Sequence, residues 1–180
     1  MLALVEVRSP PAFPPEADQA GRVNALIRFV IRPLPADLLD AVRRTRRDAA
    51  DRPVEAATAA GGEPLRCCLR DAEPGEELLL FGYVPSVAAG PYREIGPVFA
   101  HALPCSGPES TGSYPAGWRG RGQVLRAYDR RGRIHDGRRH DRGDPESVIA
   151  ELLADPAVRQ LHSRNVVHGC YMFAVDRAEE

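Results

Sequence analysis

Only two stretches of this chain can carry a helix of any length, and prolines bound both of them. Proline lacks an amide hydrogen and clashes with the turn before it, so it suits a helix start and little else in a helix. Pro33 and Pro35 open the first stretch, which runs to about Arg47. Leu38, Leu39 and Val42 form its apolar stripe, with Arg43, Arg44, Arg46 and Arg47 on a solvated face. The second begins at Asp144, a capping residue, with Pro145 at the first helical position and Glu146 at the positive end of the dipole. Val148, Ile149, Leu152 and Leu153 are its buried stripe, and Pro156 ends it.

Most of the remainder reads as strand or turn. Ile27, Phe29 and Ile31 alternate with Arg28 and Arg32, the pattern of a strand with one buried face. Residues 65–70 and 77–84 form a hairpin about Glu73-Pro74-Gly75-Glu76, where Pro-Gly suits a type II turn. Leu78-Leu79-Leu80-Phe81 is apolar on both faces and predicts a central strand. Residues 96–102 form another strand, 123–129 and 132–136 a second hairpin about Arg130-Arg131, and 158–164 and 169–176 the closing pair. Residues 48–64 read as a connector. The stretch 103–122, with Trp118, reads as a lid or an unstructured loop. Strands that follow one another through short turns are antiparallel, because a parallel pair needs a long crossover. The expected class is therefore α+β: one domain, a mainly antiparallel sheet and two principal helices. Residues 1–22 show neither period and hold four prolines; they read as a disordered arm or a mis-set start, leaving 23–180 as the domain.

All 24 basic residues are Arg, set against 25 acidic ones, for a formal net charge of −1. Such a balance offers no general attraction to a polyanion, and it argues against nucleic acid as a partner. No run approaches the length of a membrane span, and no signal-peptide pattern opens the chain, so a cytoplasmic setting with reduced thiols is expected.

Reactive side chains concentrate in three short clusters: Arg66-Cys67-Cys68, His101 with Cys105, and His168-Gly169-Cys170. Read as a strand, 65–70 places Cys67 with Leu65 and Leu69 on an apolar face, and Cys68 with Arg66 and Arg70 on a polar one. Flanking guanidinium groups stabilise a thiolate. Cys68 is thus the expected nucleophile of an enzyme or sensor, with His101 or His168 as its base. Arg66, Arg70, Arg164 and Asn165 are the candidates for holding a small anionic ligand. The acidic residues Asp71, Glu73, Glu76 and Glu77 read as solvated charges on a turn.

Two other readings stand beside the thiol. A binding module could take an anionic metabolite, or nucleic acid through the Arg-rich hairpin, where Tyr128 opposite Arg133 and Arg126 opposite His135 would form a basic face. A structural metal site could use His101, Cys105 and Cys68, but a zinc site wants a second pair, usually Cys-x2-Cys, and Leu65 stands where its other thiolate should be. No metal ligand is therefore assigned, and the residues do not say which cofactor, if any, the chain takes.

An ordered series of segments has a familiar look: Pro64-Leu65-Arg66-Cys67-Cys68-Leu69-Arg70, Pro74-Gly75-Glu76, Pro91-Tyr92, Gly96-Pro97-Val98-Phe99-Ala100-His101-Ala102 and Cys105. It continues through Val124-Leu125-Arg126-Ala127-Tyr128, Arg164-Asn165-Val166, Gly169-Cys170-Tyr171 and Val175-Asp176-Arg177. Over about residues 29–177 the chain resembles an uncharacterised bacterial family, domain of unknown function 1203. Some members carry Cys where this chain has Leu65. The resemblance implies a real folded unit and brings no catalytic role with it.

Overall fold

The alternating segment at Phe29 forms β1 (Phe29–Arg32), near the start of a computed structural model that describes residues 27–141 and 143–178. The arm expected at 1–22 lies outside the described residues. After β1 comes α1 (Ala36–Thr45), entered through Pro35 and closed by Arg46 in the left-handed conformation. Short strands follow: β2 (Glu55–Thr58), β3 (Pro64–Leu65) and β4 (Arg70–Asp71). The long strands β5 (Glu77–Tyr83) and β6 (Gly96–His101) come next. A turn of 3-10 helix (Ala116–Trp118) precedes the hairpin of β7 (Gln123–Asp129) and β8 (Ile134–His140). The chain then runs through α2 (Pro145–Ala154), β9 (Val158–Asn165) and β10 (Tyr171–Arg177). Asp144 caps α2 by accepting from the Ser147 amide, as its sequence predicts.

The strands form two five-stranded sheets, β1-β10-β9-β7-β8 and β2-β5-β6-β3-β4. Every pairing is antiparallel except β3 with β6, where Leu65 lies opposite Phe99. The α+β expectation holds, with two sheets where the sequence suggested one. β10 stands between the two cores. Tyr171 and Ala174 enter the core that α1 and the second sheet build, while Met172, Phe173 and Val175 enter the core under α2.

Four expectations need correction. Residues 65–70 form no hairpin with 77–84: they fold back on themselves as β3 and β4, while β5 pairs with β2 and β6, which give its apolar run longer partners. The connector 48–64 contains β2, an edge strand pairing with β5. Its Ala-rich, largely exposed sequence has no apolar alternation to betray it. Residues 103–122 are no unstructured loop: Trp118 is fully buried, stacks on Phe173 and donates through Nε1 to Asp71 at 2.9 Å. In the β7–β8 hairpin, Tyr128 pairs with Ile134 and Arg126 with Gly137, because a bulge shifts the register. Tyr128 is buried and Arg126 meets Glu94, so the basic aromatic face does not form. No helix among the described residues is long and apolar enough to cross a membrane.

Candidate metal centre

Between β3 and β4 the chain reverses within four residues. Leu69 takes φ +57° and its amide returns to the Leu65 carbonyl at 2.8 Å, while the Arg66 amide binds the Phe99 carbonyl at 2.9 Å. Tertiary burial drives this turn: Leu65 sits in one core and Leu69 in the other. Alternation therefore fails at 66–69, and the expectation that Cys67 and Cys68 oppose each other is overturned. Both thiols face His101, at the end of β6. The two sulfurs are 3.9 Å apart, with Cys67 Sγ 3.5 Å and Cys68 Sγ 3.8 Å from His101 Nδ1.

Cys105 completes the group, and the four ligand atoms of Cys67, Cys68, His101 and Cys105 all lie within 4.8 Å of one another. Arg43, read from sequence as part of a solvated face, instead reaches from α1 to the carbonyls of His101 (3.3 Å) and Leu103 (3.0 Å). It thereby pins the segment that carries Cys105. The burial is graded: Cys67 lies in the core and Cys105 is exposed.

The outer partners are ordered too. Leu78 pairs with His101 across β5 and β6, which brings Glu76, two residues earlier, beside the ring. Glu76 Oε1 stands 3.3 Å from His101 Nε2. Arg70 grips both oxygens of Glu76 at 2.6 and 3.0 Å, and the Glu73 amide adds a bond at 2.8 Å. The Arg70 guanidinium, helped by that amide, holds the Glu76 carboxyl down at about 2. Arg70 NH2 stands 3.2 Å from the same Nε2; in the tautomer that gives the Nε2 proton to Glu76, the lone pair at Nδ1 points to the sulfurs. Glu76 is thus part of the site, although its place on an acidic turn made it read as solvent-facing. Its spacing from Arg70 across the Pro-Gly turn is the signal that could have found it.

The thiols do not share their charge evenly. The Cys68 thiol and the His101 amide both favour a thiolate at Cys67, which holds its pKa well below the ordinary thiol value. Cys68, bonded to that anion and partly buried, is pushed up. The hydrogen bond from the Cys68 thiol favours Cys67 over Cys68 as the thiolate, and Arg66 turns to the Tyr171 carbonyl instead of flanking Cys68.

Arg66 is buried on the far side of the turn, its Nε donating to the Tyr171 carbonyl at 2.9 Å. Burial lowers its pKa to about 10. There it lines a separate cavity of about 320 Å³ with Asn165, His168 and Cys170. The third cluster therefore joins Arg66 and not His101. Asn165 ties down its own turn, accepting from the Val167 and His168 amides at 2.9 and 3.0 Å. Arg164 is buried against Glu94 and reaches the Gly169 carbonyl at 3.3 Å.

Adjacent cysteines on a tight turn thus bring two thiols to one ligand-binding edge, 3.9 Å apart, as a Cys-x2-Cys pair does elsewhere. In a tetrahedral zinc site with Zn–S about 2.3 Å and Zn–N about 2.05 Å, sulfurs sit about 3.8 Å apart and sulfur lies about 3.5 Å from nitrogen. The edges formed here by Cys67, Cys68 and His101 Nδ1 match that figure to within a few tenths of an ångström. The four residues also provide the donors that zinc takes most readily, three sulfurs and an imidazole.

No curated protein and no solved structure matches the chain. A family model described as a protein of unknown function (DUF1203) matches residues 62–177, a span that holds all four clustered ligands, Glu76 and the Arg66 cavity. This chain belongs to that family.

Proposed function

We propose that the domain binds one zinc ion through Cys67, Cys68, His101 and Cys105, and that the ion's role is structural. The observation that carries this reading is the gathering of four donor atoms within 4.8 Å of one another. Four protein ligands leave no position open for water or substrate, which is the mark of a structural site. Glu76 on His101 Nε2 supplies the carboxylate–histidine partner that fixes a metal-bound ring. The ion would tie the 66–69 turn to the end of β6 and to the chain leading towards Trp118. A reducing, cytoplasmic setting suits it, since all four cysteines are free thiols.

The experiment is metal analysis of purified full-length protein after dialysis. One zinc per chain, lost in Cys67→Ser and Cys105→Ser, is expected. Metal-free protein that melts at the same temperature with and without added zinc would overturn the reading.

A thiol-based enzyme or sensor is the second reading, with Cys67 in place of Cys68 as its reactive group. The depressed Cys67 pKa beside the His101–Glu76 pair favours it. So does a cavity of about 730 Å³ bordered by Cys67, Cys105, Tyr83 and Tyr171, room that a substrate needs. Zinc retained through dialysis decides against this alternative.

A further inference from the structure

Two arginines are buried among the described residues, and their circumstances differ. Arg164 has a carboxylate, Glu94. Arg66 is 3% exposed and meets no carboxylate of the described residues within salt-bridge distance. Its Nε and NH1 donate to the carbonyls of Tyr171 and Pro64 at 2.9 and 2.5 Å. NH2 is left with the Met172 thioether at 3.8 Å, a weak acceptor. The neighbouring acid, Asp71, is committed to Trp118 and to both arms of Arg121. A guanidinium cannot shed its proton in a protein, so this one is a buried positive charge held only by neutral groups.

That charge lines a cavity of about 320 Å³, at the small end of the range for small-molecule sites. Pro64, Pro97, Phe99 and Met172 make apolar walls, and His168 and Cys170 come from the β9–β10 turn. Asn165 and Arg121 also line it, but the Arg121 guanidinium is already held by Asp71. A part-apolar cavity with one unneutralised guanidinium wants one negative charge on an apolar body. A carboxylate can accept from the NH2 group that Met172 holds only weakly, whereas a phosphate dianion would bring more charge than one guanidinium neutralises.

We propose that the cavity between the 66–69 turn and the β9–β10 turn binds a small apolar carboxylic acid, with Arg66 holding the carboxylate and Phe99 and Met172 packing on its body. None of the four clustered ligands lines this cavity, and its case does not depend on zinc.

The test is titration of isotope-labelled full-length protein with benzoate, followed through backbone amide resonances. Benzyl alcohol serves as the neutral match and inorganic phosphate as the alternative anion. Benzoate is expected to shift the amides of His168, Cys170 and Met172 saturably. Benzyl alcohol should bind weaker by about tenfold or more, the worth of a charge-assisted hydrogen bond. Arg66→Gln should abolish the benzoate response. Because Arg66 is buried and that variant can fail to fold, Cys170→Leu provides a second arm, narrowing the cavity from a half-buried position. It should lose benzoate binding while melting as the parent does. Absence of a saturable benzoate response, equal binding of benzyl alcohol, or preference for phosphate would each overturn the proposal. So would unchanged benzoate binding in folded Arg66→Gln or in Cys170→Leu.

Discussion

Glu76 Oε1 lies 3.3 Å from Nε2 of His101, on the side of the ring facing away from the sulfurs. When His101 binds a metal through Nδ1, its Nε2 carries the proton, and a carboxylate there accepts it and fixes the ring's orientation. Glu76→Ala should therefore keep the four ligands yet weaken zinc binding by about 10- to 100-fold, the usual effect of losing such a partner. Competition against a chromophoric chelator measures it. An unchanged affinity would mean that Glu76 serves only Arg70.

Removal of the ion should expose the unequal thiols. In metal-free protein the thiolate absorbance in the ultraviolet should titrate well below the ordinary cysteine range. Cys67→Ala should return the midpoint to that range, whereas Cys68→Ala should shift it upward only in part. The direction follows from the two donors to Cys67, the Cys68 thiol and the His101 amide. A low midpoint that survives Cys67→Ala would assign the anion to another residue.

His162 gives the fold a pH dependence of its own. Burial, with Arg164 adding to it, drops its pKa to about 3. Because the folded value lies below the unfolded one of about 6.5, the unfolded chain takes up a proton that the folded chain refuses. Stability is thus fully present above about pH 6.5 and falls as acid is added, by about 2 kcal/mol at about pH 5. Urea unfolding at about pH 5 and about pH 7.5 reads the difference. His162→Gln should flatten it. An equally steep dependence in that variant would place the cause elsewhere.

Trp118 anchors an irregular segment by burying its whole ring and satisfying its only polar atom on Asp71. Trp118→Ala should cost about 3–5 kcal/mol, the usual range for a buried aromatic truncated in a core. Asp71→Ala should cost less, because Arg121 is exposed and can turn to solvent while the indole loses one hydrogen bond. Denaturant midpoints decide both. A small loss at Trp118 would show that residues 103–122 hold their path without it.

Local rules read well wherever local chemistry decided the structure. Asp144-Pro145 starts α2, and Gly75 supplies the positive φ of a turn closed by the Glu76 amide on the Glu73 carbonyl. They failed where distant partners decided. The segment 65–70 has a strand's alternation, yet its ends belong to two cores, and satisfying both forces the turn that reverses Cys68 relative to Arg66. Glu55-Ala56-Ala57-Thr58 becomes a strand only because β5 offers an edge. The candidate site was half legible. The cysteine and histidine clusters were visible as reactive groups, but which of them meet depends on Leu69 at φ +57° and on the β3–β6 pairing, neither of which has a sequence signature.

β10 has hydrogen-bonded neighbours on both edges and apolar neighbours on both faces. Neither core can open while the other stays shut without stripping one side of this strand. The amides of Phe173 and Val175 should therefore exchange with solvent only through complete unfolding, making β10 the slowest-exchanging segment of the chain. A domain with two cores is in this way bound into one cooperative unit by a single shared partition.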